Sequence, residues 1–287
     1  MGLPNRRVDA GVHRVITTWQ LILSAAVLAY LVTATVLAVV QMRRRASWRG
    51  PVMRVMIGHA LAGNIVVLIW RAWAGGAEGA FSHSFDSILL FATLLAGMAA
   101  LSPLIGRLGA LHVLLLPVAA AVQASAFLTI GEDAVRLPYK PWFITHMASM
   151  ILGATCFVAG GVAGLAYLWV NRRLRNKRPQ PVLGAMPPLE SLEVFGRRTV
   201  AIGFGLLTFG ILTGICGIAH NTEQWRLFAH DPLVIFTGVM WVLYAVALLG
   251  LRLKPDLRGR RAAWLAVWSL VLLMFVFVLA DVFSQTH

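Results

Sequence analysis

Charge is scarce in this 287-residue chain. Lys, Arg, Asp and Glu make up 13% of it, about half the share of a soluble domain, whereas 59% is hydrophobic. That balance excludes a water-soluble globule and points to a polytopic membrane protein. Cysteine is almost missing. Cys156 and Cys216 stand in separate apolar runs and form no CxxC, which argues against a disulfide framework, a zinc site or a thiol-redox role. No CxxCH occurs either, so the chain is not itself a c-type cytochrome. GxSxG, HExxH, a nucleotide-binding loop and paired carboxylates within a span are all lacking. With no hydrolytic or transferase constellation, the chain is not read as an enzyme. Acidic residues number 11 against 25 Lys and Arg, a net charge of +14. Such an excess can mark a nucleic-acid binder. Here the basic residues cluster in short loops between apolar runs, as topology signals do, so membrane lipid is the expected partner and nucleic acid is not.

What the chain has in abundance is hydrophobic length. Eight runs stand out, at 15–41, 52–73, 84–101, 109–130, 142–170, 199–219, 232–251 and 262–283. Each comes near the roughly 20 residues that a helix needs to cross the hydrocarbon core. The expected fold class is all-α, a polytopic membrane helix bundle of about eight transmembrane helices. The first run is too long for a signal-peptide core and ends in Arg43-Arg44-Arg45, so it is expected to be retained as a span. Basic loops at 43–54, Arg107, 172–198 and 252–261 alternate along the chain. Positive-inside logic puts them in the cytoplasm and both termini outside; Arg6, Arg7 and Arg14 pull the other way and are outvoted. The whole of 1–287 reads as one transmembrane domain. Within it, 171–198 reads as a cytoplasmic basic loop carrying an interfacial amphipathic helix. Gly210 and Gly214 form a GxxxG, and Gly153, Gly160 and Gly164 recur at helical spacing. Close helix packing explains them, and such faces also leave room for a flat macrocycle.

Eight histidines in so apolar a chain are the chemical signal, because polar side chains within spans tend to face an interior, a partner or a ligand. They sort into two layers. His59 and His112 each lie five residues past an arginine, roughly 7–8 Å inside the cytoplasmic boundary. His13, His83, His146, His220, His230 and His287 lie toward the outer face, with His146 five residues into the fifth span. Imidazole ligates metals through either nitrogen and is a standard axial ligand of haem iron. The plainer readings stay open: a helix–helix hydrogen bond or a helix end for His59 and His112, and solvated loop residues for His13 and His83.

The run Pro187 to Gly214, PPLESLEVFGRRTVAIGFGLLTFGILTG, resembles a stretch of the CcsA/HemX superfamily, the haem-handling membrane proteins of cytochrome c assembly. Phe85-Asp86-Ser87 resembles that family's entry to its third span. Residues 141–147, PWFITHM, resemble a motif whose histidine is an outer-face haem ligand, a role the resemblance carries to His146. The family's tryptophan-rich loop falls on 220–232, HNTEQWRLFAHDP. Asp231-Pro232 is kept, His230 and Phe228 replace tryptophans, and Trp225 is displaced, so 220–231 is a degenerate outer haem-loop-like segment. Leu249 stands where haem synthases have a histidine in the seventh span, and His287 falls near their second outer histidine. The pattern is therefore similar to the HemX/YpjD-like branch, whose second-span motif is met at His59.

The resemblance implies haem b held outside by His146 and by His287 or His230. Trp225 and Phe228 would pack on the porphyrin, and Arg226 would pair with a propionate. His59 and His112 would form a second, inner site. It implies a bacterial inner-membrane location and other cytochrome-assembly or membrane-complex subunits as partners. Two other classes stay open. A regulatory or scaffolding subunit with a vestigial haem site suits the degenerate loop and Leu249. A quinone-linked cytochrome b-type electron-transfer subunit would carry paired histidines on one helix, whereas His59 and His112 each stand alone in their spans. A transporter is disfavoured, since Asp86 and Asp281 lie at span ends.

Overall fold

Long apolar segments decide the secondary structure first. Hydrocarbon offers no hydrogen-bond partners, so a spanning backbone must satisfy its own N–H and C=O groups, as a helix does. The computed structural model describes residues 6–43, 49–74, 84–102, 108, 110–129, 141–176, 186–218, 231–253 and 259–284. Among them every regular element is helical: α1 (Arg6–Arg43), α2 (Arg49–Ala74), α3 (Ser84–Leu101), α4 (His112–Ser125), α5 (Pro141–Arg175), α6 (Leu189–Ile218), α7 (Pro232–Leu253) and α8 (Arg260–Ser284). A 3-10 turn, Ala126–Thr129, prolongs α4. Seven segments within α1 to α7 are long and apolar enough to cross a membrane, and α8 carries the expected eighth run. This is the expected all-α membrane bundle.

Two helices outrun their apolar segments. α5 continues to Arg175, with Arg172, Arg173 and Arg175 in its last turn, where cations oppose the negative end of the helix dipole. α6 starts at Leu189, well before its apolar run, and continues unbroken past Arg198. Its first turn is closed by the Leu192 amide donating to the Pro188 carbonyl at 3.1 Å.

The chain divides into two compact units: 1–100 with 116–137, and 101–115 with 138–287. In the first unit, α1 and α2 pack antiparallel. α1 buries Ser24, Val27, Leu31, Ala34 and Ala38, and α2 buries Met53, Ile57, Ala60, Asn64 and Val67. The alternating three- and four-residue steps are those of a helix–helix seam. Val27 lies against Gly63, and Tyr30 faces His59 with ring centroids 5.6 Å apart. Val67, Phe85, Leu89 and Ala126 tie α2, α3 and the end of α4 into one cluster. Beside it Arg71 forms an ion pair with Asp86 and lies 5.0 Å from the Phe85 ring centroid. Two turns from Arg71 along α2, the buried Asn64 amide donates to Gln123 at 3.0 Å. The opposite faces of α1 and α2 present Trp19, Ile22, Val36, Val55, Val66, Ile69 and Trp73 outward. That large apolar surface suits lipid.

In the second unit α5 lies between α6 and α8. Its glycines bring the backbones close. A Cβ on Gly153 would lie 3.3 Å from the Gly203 carbonyl oxygen of α6, and one on Gly164 would lie 2.6 Å from the Ala263 carbonyl oxygen of α8. α7 is held by two hydrogen bonds and two ring contacts. The Trp241 indole donates to Thr208 at 2.8 Å and stacks on Phe204. Tyr244 packs on Phe157 and donates its hydroxyl to the Ser269 carbonyl at 2.6 Å. Gly259 enters α8 at φ 77°, a left-handed conformation that glycine adopts without strain. The pairings run antiparallel between neighbours, so α5 and α7 end where α6 and α8 begin. Arg172, Arg173, Arg175, Arg197, Arg198, Arg252, Arg260 and Arg261 therefore share one end of this unit, and His146 lies toward the other.

Candidate functional site

His146 sits one turn and a half into α5, where α5 crosses the last turns of α6. Four residues on the α5 face meet three glycines in order. Cβ atoms added at Gly210, Gly214 and Gly217 would meet Met150 with Ser149, the His146 ring, and the Trp142 ring respectively. At Gly214 the distance to His146 Nδ1 and Cε1 would be 3.1 Å. Glycine at these positions thus creates the space that the imidazole and the indole occupy. Trp142 is further braced edge-on by Phe143 at 5.8 Å.

The ring is also fixed chemically. His146 Nδ1 lies 2.7 Å from the Gly210 carbonyl oxygen. A carbonyl can only accept, so Nδ1 carries the proton. In the neutral ring, Nε2 is then the atom with the free lone pair. No described protein group bonds to it. The Thr213 hydroxyl reaches the same Gly210 oxygen at 2.9 Å and the Phe209 oxygen at 3.0 Å. The Ser149 hydroxyl donates to the His146 carbonyl at 2.8 Å.

His59 has a comparable tautomer by a different route. Its Nδ1 lies 2.8 Å from the Val55 oxygen of its own helix, and the residue is exposed. It belongs to the first unit. His112 is the first residue of α4, half-buried, and belongs to the second. Trp225, Arg226, Phe228, His230 and His287 lie outside the described residues, as do His83 and His220. Leu249 is 56% exposed on α7, so that position offers no ligand. Asp86, read from sequence as a span end, is buried and paired with Arg71. Both cysteines are free.

Sequence reasoning missed the Gly210 carbonyl, which has no side-chain signature. It also missed Thr208 with Trp241, whose pairing appears only when α6 and α7 lie side by side. The GxxxG was visible and was read as close packing that also leaves room for a flat macrocycle, not as the seat of a histidine ring. Among the described residues no group of three His, Cys, Asp or Glu could hold a metal ion. A single anchored imidazole with a free Nε2 instead fits a metal that brings its other ligands in a macrocycle.

A family model described as "Cytochrome C assembly protein" matches residues 14–287. Among similar curated proteins, the "Cytochrome c biogenesis protein CcsA" of Thermosynechococcus vestitus is 26% identical over 73% of this chain and 78% of its own length. The protein of the same name from Microcystis aeruginosa is 24% identical, over 72% and 77%. That from Guillardia theta is 21% identical, over 75% and 77%. No solved structure matches. With nearly its whole length matched, the chain belongs to the cytochrome c assembly protein family.

Proposed function

We propose that this protein binds haem at the outer face of a bacterial cytoplasmic membrane and presents it for cytochrome c assembly. The observation that carries the reading is His146, with Nδ1 tied to the Gly210 oxygen and Nε2 left available as an axial ligand. Metal-ligating histidines characteristically donate the other ring N–H to such an acceptor. The arginine-rich end of the second unit would face the cytoplasm, and His146, toward the opposite end, would then lie outside. His230 or His287 would supply the second imidazole. Trp225 and Phe228 would cover the porphyrin plane, and Arg226 would hold a propionate. Trp142, seated against Gly217, would shield the site on the α5 side. Haem supplies the redox-active iron; the chain's own part is to orient the ring, hold its proton on Nδ1 and limit water. His59 and His112 are each, separately, candidates for an inner ligand.

A second reading is a regulatory or scaffolding member of an assembly complex with a vestigial haem site. The degenerate loop at 220–231 and Leu249, which stands where haem synthases have a histidine and faces outward, favour it. Absorbance spectra of detergent-purified protein, oxidised and then dithionite-reduced, separate the two. Haem handling predicts a Soret band with sharp α and β bands on reduction, broadened or lost in His146→Ala. A colourless protein that also fails to take up hemin refutes haem handling and leaves the scaffold.

A further inference from the structure

We infer that Gly210, Gly214 and Thr213 of α6 are positioning residues for His146, setting which ring nitrogen is free and how strongly it donates. This assignment rests on the haem-binding reading above. Helix-interior carbonyls are normally taken up by the N–H four residues on, and the side chain at that residue screens them. Here residue 214 is glycine, and a Cβ there would lie 3.1 Å from His146 Nδ1 and Cε1. The ring can approach the Gly210 oxygen to 2.7 Å because that Cβ is missing. Gly210 plays the matching part on its own side. Its Cβ would lie 2.7 Å from Met150 Sδ and 3.0 Å from Ser149 Oγ, the α5 residues next to His146. Two glycines four apart thus open a stretch of backbone to a side chain, which is a different use from bringing two helix backbones together.

Thr213 adds a competitor. Its hydroxyl is 2.9 Å from the Gly210 oxygen and 3.0 Å from the Phe209 oxygen, so it has two acceptors to choose from. When it donates to Gly210, it draws on the same oxygen that His146 uses. When it donates to Phe209, the Gly210 oxygen is a better acceptor for Nδ1–H. A stronger Nδ1–H···O bond makes Nε2 a more basic ligand, and a more basic ligand favours ferric over ferrous iron. Thr213 would therefore tune the ligand without touching it.

The test begins on haem-free protein, so that it stands apart from haem binding. Histidine labelled with 15N, in lipid nanodiscs, reports the tautomer of His146, assigned by its loss in His146→Ala. The expected result is a protonated Nδ1 and an unprotonated Nε2, shifting toward protonated Nε2 in Gly214→Ala. A wild-type ring protonated at Nε2 overturns the proposal, as does a folded Gly214→Ala protein with unchanged ring signals. Should Gly214→Ala not fold, Thr213→Val carries the test, since it only exchanges a hydroxyl for a methyl. Loaded with hemin, Thr213→Val is expected to show a lower midpoint potential with the same six-coordinate spectrum. An unchanged potential removes Thr213 from the set. A wild-type protein with the expected tautomer that takes up no hemin refutes the haem reading, and the iron role falls with it, while the ring geometry stands.

Discussion

Replacing Asn64 with leucine keeps the branched shape of the side chain and removes both polar atoms. Asn64 and Gln123 are 1% and 0% exposed, and they share one hydrogen bond of 3.0 Å. The pair is imperfect in its native form, because Asn64 Oδ1 and Gln123 Nε2 have no partner among the described residues. Asn64→Leu would strip the Gln123 amide of its remaining bond. In water-soluble proteins, leaving a buried polar group unsatisfied costs about 1–3 kcal/mol. Within membranes the measured coupling averages about 0.6 and reaches about 1.7 kcal/mol, because the unfolded helices also find partners. A destabilisation of about 1–2 kcal/mol is therefore expected, roughly a 5–30-fold change in the folded-to-unfolded ratio. Gln123→Met, of similar length, should cost about the same, by stranding Asn64. The double variant should then be no less stable than wild type, since it also relieves the two unpartnered atoms. A double-mutant cycle on unfolding in mixed micelles reads this directly. If the double variant loses the sum of the two single losses, the amide pair is not a coupled unit and the reasoning fails.

Two further perturbations test the packing of each unit. Gly164→Ala places a Cβ 2.6 Å from the Ala263 carbonyl oxygen. Because backbone cannot swing aside, it should cost about 1–3 kcal/mol, whereas Gly205→Ala, with nothing within 4 Å, should be neutral or stabilising by up to about 1 kcal/mol; equal unfolding midpoints for the two would contradict the close α5–α8 approach. Asp86→Ala leaves Arg71 unpaired at side-chain exposures of 13% and 6%, and should cost about 3 kcal/mol, the low end for a broken buried pair because Arg71 is partly exposed. Arg71→Met with Asp86→Leu should recover most of that loss, and a double variant as unstable as Asp86→Ala would count against the pair.

The spans were legible because membrane-crossing helices announce themselves by apolar length, and α2, α3 and α7 fall on their runs within a few residues. The helix ends were less so. Apolarity marks where hydrocarbon begins, but the hydrogen-bond ladder of α5 continues to Arg175 and that of α6 begins at Leu189. His146 was singled out by its place in a span and by the PWFITHM resemblance. Its anchor was out of reach, because a hydrogen bond across 64 positions of sequence depends on how α5 and α6 are registered. The Asn64–Gln123 bond, 59 positions apart, was hidden for the same reason. The tryptophan-poor loop at 220–230 and the terminal His287 remain sequence expectations, outside the described residues.

The glycines of α6 serve two purposes that single substitutions should separate. Gly203 faces backbone: a Cβ there would lie 3.1 Å from both the Gly153 carbonyl oxygen and Cys156 Cβ, and 3.2 Å from Phe157 Cδ1. None of these atoms is the far end of a flexible chain, so Gly203→Ala must push α5 and α6 apart. The cost is expected at about 1–3 kcal/mol, with the geometry around His146, several turns away, preserved. Gly214 faces only an imidazole, which can rotate about its χ angles. Gly214→Ala should cost less stability, because the ring yields before the backbone does, yet it should break the bond to Gly210. Thermal unfolding and the hemin spectrum of the two variants should therefore move in opposite order. Gly203→Ala should show the larger loss of stability with a wild-type spectrum, and Gly214→Ala the smaller loss with an altered one. If both variants lose stability and spectrum in proportion, the histidine seat is simply part of the helix interface, and the glycines have a single role.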